Sequence, residues 1–361
     1  MWPYWFLFLV PTYLAVSRLR PTPQLAMLAQ RKRWSSVWRG LFVLLVLMVG
    51  LRHRVGSDWF NYIEHVQSMA GVPMTSALTG KDPATSFFNW LAERSGTGVY
   101  LVNLLSAIFF SWGLLSFCRA QPRPWLALVV AVPYLIIVVA MGYTRQGVAI
   151  GVAMLGMVAL SQGGTLRFVL WIALAATFHK SAVILVPLAA LANSRRRVFT
   201  VLWVVVTGLI LFAVLLQDSL EYFEHGYIDA QYQSSGAAIR ITITAVSAAL
   251  YLVFRKRFQL TAEESAFWMW MSWSALVLVV LLNVSPSSTA VDRVALYWIP
   301  LQLFVLSRLP NALGLRDGKN AVLVYLVVLY SAAVMFGWLF FGNFSSAWLP
   351  YQFYPWVWLW Q

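Results

Sequence analysis

The chain has 361 residues, of which 61% are hydrophobic and only 11% charged, and its mean hydropathy is +0.73. Those values exclude the two or three soluble domains that the length alone suggests; apolar runs of about 17–25 residues recur throughout, as in a polytopic α-helical membrane protein. The net charge of +14 does not indicate a nucleic-acid binder, because the lysines and arginines lie in short runs at the ends of apolar segments, where the positive-inside rule and anionic headgroups place them.

The N-terminus, Met1-Trp2-Pro3-Tyr4-Trp5, lacks a basic n-region and a small-residue cleavage site, so the first apolar run (about 3–16) reads as a span that ends at Arg18 and Arg20. Arg31, Lys32, Arg33 and Arg39 make the next segment the most basic, hence cytoplasmic, which puts the N-terminus outside. A second span (about 37–51) leads to an outer segment, 52–98, where Trp59, Tyr62, Ile63 and Val66 recur at helical spacing and predict short helices at the interface. The third span (about 99–117) returns to Arg119 and Arg123. The fourth (about 125–141) rises to Tyr143-Thr144-Arg145-Gln146, and the fifth (about 147–161) descends.

The sixth (about 166–178) places His179, Lys180 and Ser181 near the outer end, and the seventh descends to Arg195, Arg196 and Arg197. The eighth (about 198–216) leads to a second outer loop, 217–240, which carries Asp218, Glu221, Glu224, His225 and Asp229. The ninth ends at Arg255, Lys256 and Arg257, and the tenth (about 266–283) leads to an outer turn, 285–293, that begins the eleventh. The twelfth runs over about 321–341, and an aromatic tail is expected to lie in the headgroup layer. The expectation is one all-α transmembrane domain over residues 1–361 with about twelve helices, capped by outer segments 52–98, 217–240 and 342–361.

This threading puts most of the 26 lysines and arginines inside, but most of the 12 acids and all four histidines outside. Acid–base chemistry is therefore expected on the outer face. Arg145 reads either as an interfacial arginine or as an anion clamp, since a guanidinium stays charged and binds phosphate bidentately. Gln146 adds a polar contact. His179 suits a structural hydrogen bond or a general base, and Lys180 beside it favours the neutral, base-competent form. Arg293 stands before Tyr297 at the outer end of a descending span, and Asp292 offers it a simple ion pair. Asp58 reads as a helix cap or as a carboxylate working beside Arg54. His53, Asp58, Glu64 and His65 match no compact metal-ligand spacing, and no Gly-rich nucleotide loop occurs. The single cysteine, Cys118, excludes an internal disulfide.

Taken in order, Arg54-Val55-Gly56-Ser57-Asp58-Trp59-Phe60-Asn61-Tyr62, Thr144-Arg145-Gln146, Phe178-His179-Lys180-Ser181, Asp292-Arg293 with Tyr297, and Pro350-Tyr351 resemble the EpsG family, which is grouped with Wzy-type polymerases of bacterial exopolysaccharide and O-antigen. Ser57 and Trp59 stand where that family commonly has Thr and Tyr. The resemblance implies a bundle similar to the GT-C glycosyltransferases in the bacterial cytoplasmic membrane. It also implies work on undecaprenyl-diphosphate-linked oligosaccharides outside that membrane, with a flippase and a chain-length regulator as partners and no cofactor. Under it, His179, Asp58, Arg145 and Arg293 would be catalytic, and Arg54, Gln146, Lys180, Tyr62, Tyr297 and Asp292 would bind substrate. An O-antigen ligase-like transferase and a non-enzymatic flippase are the alternatives. The outer loop 217–240 is short for the ligase, and charge gathered at one face disfavours the flippase.

Overall fold

A computed structural model describes residues 1–22, 33–188, 234, 236–315 and 318–359; the acidic loop residues Asp218 to Asp229 and the expected eighth span lie outside them. The described chain is almost entirely helical. The first helices are α1 (Trp2–Ser17), α2 (Ser36–Gly50), and the short α3 (Trp59–Gln67), α4 (Met74–Leu78) and α5 (Pro83–Arg94). Next come α6 (Val99–Arg119), α7 (Pro124–Ala131), α8 (Thr144–Leu160) and α9 (Thr165–Phe178). The last described helices are α10 (Ala237–Phe254), α11 (Ala262–Val284), α12 (Ser288–Ala295), α13 (Ile299–Leu313), α14 (Ala321–Phe341) and α15 (Tyr354–Leu359). Among the described residues, five stretches are long and apolar enough to cross a membrane: 99–119, 237–257, 262–284, 288–313 and 321–341; four shorter apolar helices, 36–50, 124–140, 144–160 and 165–178, join them. The protein is a polytopic membrane protein, as its hydropathy demands. The helical spacing expected in the first outer segment is realised in α3, which buries Trp59, Tyr62 and Val66.

The fourth span departs from plain helix. After Ala131 the fourth continues as nine residues of π-helix, Val132–Ala140. Pro133 has no N–H to give the preceding turn, so the ladder loosens there and carbonyls become available to side chains. Elsewhere the core is tight. A Cβ on Gly113 in α6 would lie 1.8 Å from the Gly151 carbonyl oxygen in α8, and one on Gly151 would lie 2.6 Å from the Phe110 Cα. These helices cross backbone to backbone, the close approach that small residues permit in membranes.

The loops sort to two ends. At the basic end, the buried Arg123 donates to Asn311 Oδ1 (2.6 Å), to the Gly318 carbonyl (3.0 Å) and to the Leu19 carbonyl, and so ties three connections together. At the opposite end the chain folds back on itself. Strand β1 (Arg52–His53) pairs antiparallel with β2 (Gln352–Phe353). Just before β2, Trp348 is fully buried, and its indole donates to the Ile137 carbonyl (2.7 Å) in the π-helix. Its ring fills the space where a Cβ on Gly142 would lie 2.2 Å away. Gly56 (φ +105°) donates from its backbone N–H to the Ala347 carbonyl (2.8 Å), and a Cβ there would meet the Met141 carbonyl at 2.5 Å. The tail was expected at the headgroup layer. Within it, Trp348 enters the bundle, because its indole and two glycines offer a matched plug and socket.

Candidate functional site

The first turn of α8 organises this end. Successive residues on a helix point about 100° apart, so Thr144, Arg145 and Gln146 reach three different partners. Thr144 faces inward and accepts from Arg52 Nη2 at 2.7 Å. Arg145 Nη1 pairs with Asp82 Oδ2 at 3.0 Å. Gln146 Nε2 donates to the Arg293 carbonyl. One helical turn thus fixes the core, one lip of the site and the start of a distant span.

Arg52 was passed over in favour of Arg54, yet it is 0% exposed. Its guanidinium also donates to Asn103 Oδ1 (3.0 Å), to the Val55 carbonyl (3.3 Å) and to the Val49 carbonyl. A charge buried this deeply survives only when its donors are used, and here they lock the approach to Arg145. Arg54 is exposed, with φ +51°, and makes no described ion pair with Asp58.

Asp82 is the carboxylate that sequence reasoning missed. Preceding Pro83, it reads as an ordinary helix cap, but its side chain makes no capping bond to α5. It is 7% exposed, it holds Arg145, and its Oδ1 accepts from the Lys180 backbone N–H at 3.4 Å. Thr85, one turn on, donates to the Phe178 carbonyl (3.0 Å), which seats α5 against the end of α9. Only this three-dimensional contact identifies Asp82.

His179 lies in the break between α9 and a 3-10 turn, Lys180–Leu185, outside both helices. Its Nδ1 is 2.6 Å from Ser181 Oγ, which in turn donates to the Tyr297 hydroxyl at 3.3 Å. With the proton on Nδ1, this relay runs from imidazole to serine to tyrosine and leaves the Nε2 lone pair able to accept a proton. Burial pushes the imidazole down to about 4; Asp82 opposes the shift, and Arg145, Arg293 and Lys81 reinforce it. The neutral form expected from Lys180 is therefore produced chiefly by burial. From about pH 4 to 6.5 the unfolded histidine would bind a proton that the folded one refuses, so this group removes stability as pH falls through that window. The free-enzyme profile of kcat/KM is accordingly expected to show no acid limb from His179 between pH 8 and 6. A limb at pH 6.5 would show a solvated imidazole instead.

Asp292 does not serve Arg293. It takes a bidentate pair from Arg240 in α10, Nε to Oδ1 at 2.9 Å and Nη2 to Oδ2 at 2.5 Å, with Ser234 Oγ adding a bond at 3.0 Å. Arg293 instead sits over the Tyr143 ring, 3.9 Å from its centre, a cation–π contact that leaves the charge undiminished. Asp58 occupies the cap position of α3, but its side chain makes no capping bond; among the described residues it accepts from Ser57 (3.2 Å). Tyr62, buried on α3, lies against Thr144. His65, which its spacing had left without a role, is brought near: after burial, the charge of Arg145 is the largest influence lowering its pKa, with Glu64, Asp58 and Asp82 acting in the opposite direction.

Residues 37–353 match the model of the EpsG family. The chain belongs to the EpsG family. That family is a Wzy-type, polysaccharide polymerase-like family of bacterial membrane proteins. No curated protein and no solved structure matches the chain. Within the EpsG match, the motifs of the resemblance fall at one end of the bundle: Arg145 and Gln146 open α8, His179 closes α9, and Tyr297 and Arg293 lie at the head of the 288–313 span.

Proposed function

We propose that this EpsG-family protein is a glycosyltransferase that polymerises undecaprenyl-diphosphate-linked repeat units on the outer face of the bacterial cytoplasmic membrane. In this reading it has twelve spans arranged like a GT-C bundle, both termini outside, and it works beside a flippase and a chain-length regulator. The acceptor hydroxyl attacks the anomeric carbon of the donor glycan. The bond from that carbon to the lipid diphosphate breaks, and its electron pair leaves with the diphosphate. His179 Nε2 takes the acceptor proton, with Asp58 the alternative base. Arg145 and Arg293 meet the negative charge that develops on the leaving group, the kind of prearranged stabilisation that contributes most when water is excluded. Arg54, Lys180 and Gln146 line the approach, and two fixed guanidinium charges supply a metal's electrostatic role.

The observation that supports this reading is the network, in a chain of this family, that ties Arg145 through Asp82 to Lys180 beside His179, His179 through Ser181 to Tyr297, and Gln146 to the Arg293 carbonyl. Purified protein, incubated with lipid-linked repeat units and a chelator, is expected to yield a ladder of glycan lengths. A strict requirement for added divalent cation would overturn the arginine mechanism, and single units unchanged by active-fold protein would overturn polymerisation itself.

A further inference from the structure

Beyond Arg52 the outer end carries a cluster of rings that the reaction chemistry does not use. The rings of Tyr100, at the start of α6, and Tyr354, at the start of α15, stack with centroids 3.6 Å apart. His53 packs against both, at 6.1 and 6.3 Å, and its Nδ1 lies 2.6 Å from the Tyr100 hydroxyl. Trp59 closes the cluster, 5.8 Å from the rings of His53 and of Tyr100. His53, Tyr100 and Tyr354 are each half-buried, so the group keeps part of its surface in contact with solvent.

Three features distinguish this cluster from an interfacial belt. Its members come from three distant parts of the chain, and the strand pair β1–β2 together with the Tyr354 N–H to Leu51 carbonyl bond (2.8 Å) holds them in register. Its rim carries Arg54, whose charge bears on both His53 and Tyr100 and whose φ of +51° is a conformation that a non-glycine residue adopts at some cost. It is also continuous with the site: Arg52 lies 6.0 Å from the Trp59 ring and bonds Thr144, the neighbour of Arg145.

We propose that His53, Tyr100 and Tyr354, rimmed by Arg54, form a saccharide-binding platform that holds the glycan of the lipid-linked substrate beside the Arg145 site. A pyranose ring presents weakly positive C–H groups on one face, which suit the negative face of an aromatic ring, while its hydroxyls need the polar rim that a phenol, an imidazole and a guanidinium provide. Aliphatic side chains of equal size would supply the area without the quadrupole. Tyr354 is the first residue beyond the span that matches the EpsG family, whereas His53 and Tyr100 lie within it.

The inference rests on the polymerase reading for the identity of its ligand, and the test separates the two. Lipid-linked single repeats are extracted from cells carrying Arg145→Ala, and part is hydrolysed to the lipid-free oligosaccharide. Saturation-transfer NMR then measures binding of that oligosaccharide to the wild type, Tyr354→Leu and Tyr354→Phe, with Tyr100→Leu and Tyr100→Phe as a second pair, while the wild type is assayed for ladder formation. The platform predicts at least tenfold weaker binding in each leucine variant, with each phenylalanine variant, which keeps the ring and loses one rim hydroxyl, between its leucine counterpart and wild type. Equal binding in the leucine and phenylalanine variants overturns the platform, and a wild-type ladder in the same experiment leaves the polymerase reading standing. A leucine-specific loss without a wild-type ladder supports the platform and sinks polymerisation.

Discussion

Arg145→Ala is expected to stop chain growth and leave single-repeat glycans on the lipid carrier, with kcat reduced by about 10²–10³-fold, the effect of removing one donor from a developing oxyanion. Part of that loss has a structural cause, because alanine strands the Asp82 carboxylate in a site where it is 7% exposed. Asp82→Asn separates the contributions. It keeps the shape and one hydrogen bond to Arg145 but removes the charge that fixes the guanidinium, so activity should fall less than in Arg145→Ala while the fold persists. In the double variant the loss should be somewhat smaller than in Arg145→Ala alone, because the amide leaves no stranded charge, and well below the sum of the two single losses, since residues acting as one unit are not additive. Arg293→Ala, which removes the cation above Tyr143, should also shorten the ladder. Unchanged ladders in Arg145→Ala and Arg293→Ala together would dispose of the arginine mechanism.

The second large effect is structural. Trp348→Ala should destabilise the protein by about 3–5 kcal/mol, the usual consequence of emptying a buried aromatic site, and the Ile137 carbonyl would also lose its indole donor. Gly142→Ala should be harmful for the opposite reason, because its Cβ would meet the indole at 2.2 Å. Combining the two is expected to recover part of the loss, since the new methyl enters the space that the indole vacates. Thermal unfolding in detergent, monitored at equal protein concentration, measures all three. Additive losses in the double variant would show that the ring and the glycine do not share one cavity.

Much of the membrane architecture was legible because bilayer thickness imposes a length on apolar runs, and basic residues mark their ends. The helix α3 was legible from Trp59, Tyr62 and Val66 at helical spacing. Arg145, His179 and Tyr297 were readable as motifs because polar groups are costly among apolar neighbours. Asp82 was not, since an aspartate before a proline in a polar segment is locally unremarkable and acquires meaning only when α5 packs against the end of α9. Arg52 and Arg54 are a related case. Two arginines separated by one residue cannot be ranked by composition, and the strand pairing with Phe353 decides which one is buried. The Arg240–Asp292 pair was hidden for the same reason: its partners are 52 residues apart.

The π-helical stretch, Trp348 and Tyr4 have a further consequence for biogenesis. The Tyr4 hydroxyl donates to the Trp348 carbonyl at 2.7 Å, so the first helix and the segment after α14 are joined directly at the site end. Spans inserted one after another during synthesis would leave that end open, with the Ile137 carbonyl and the Arg52 strand edge unsatisfied, until residues 345–353 emerge and dock. Assembly of the site is thereby tied to synthesis of the segment after α14: a ribosome stalled within α14 would hold a membrane-inserted chain whose arginines are present but not yet fixed in place.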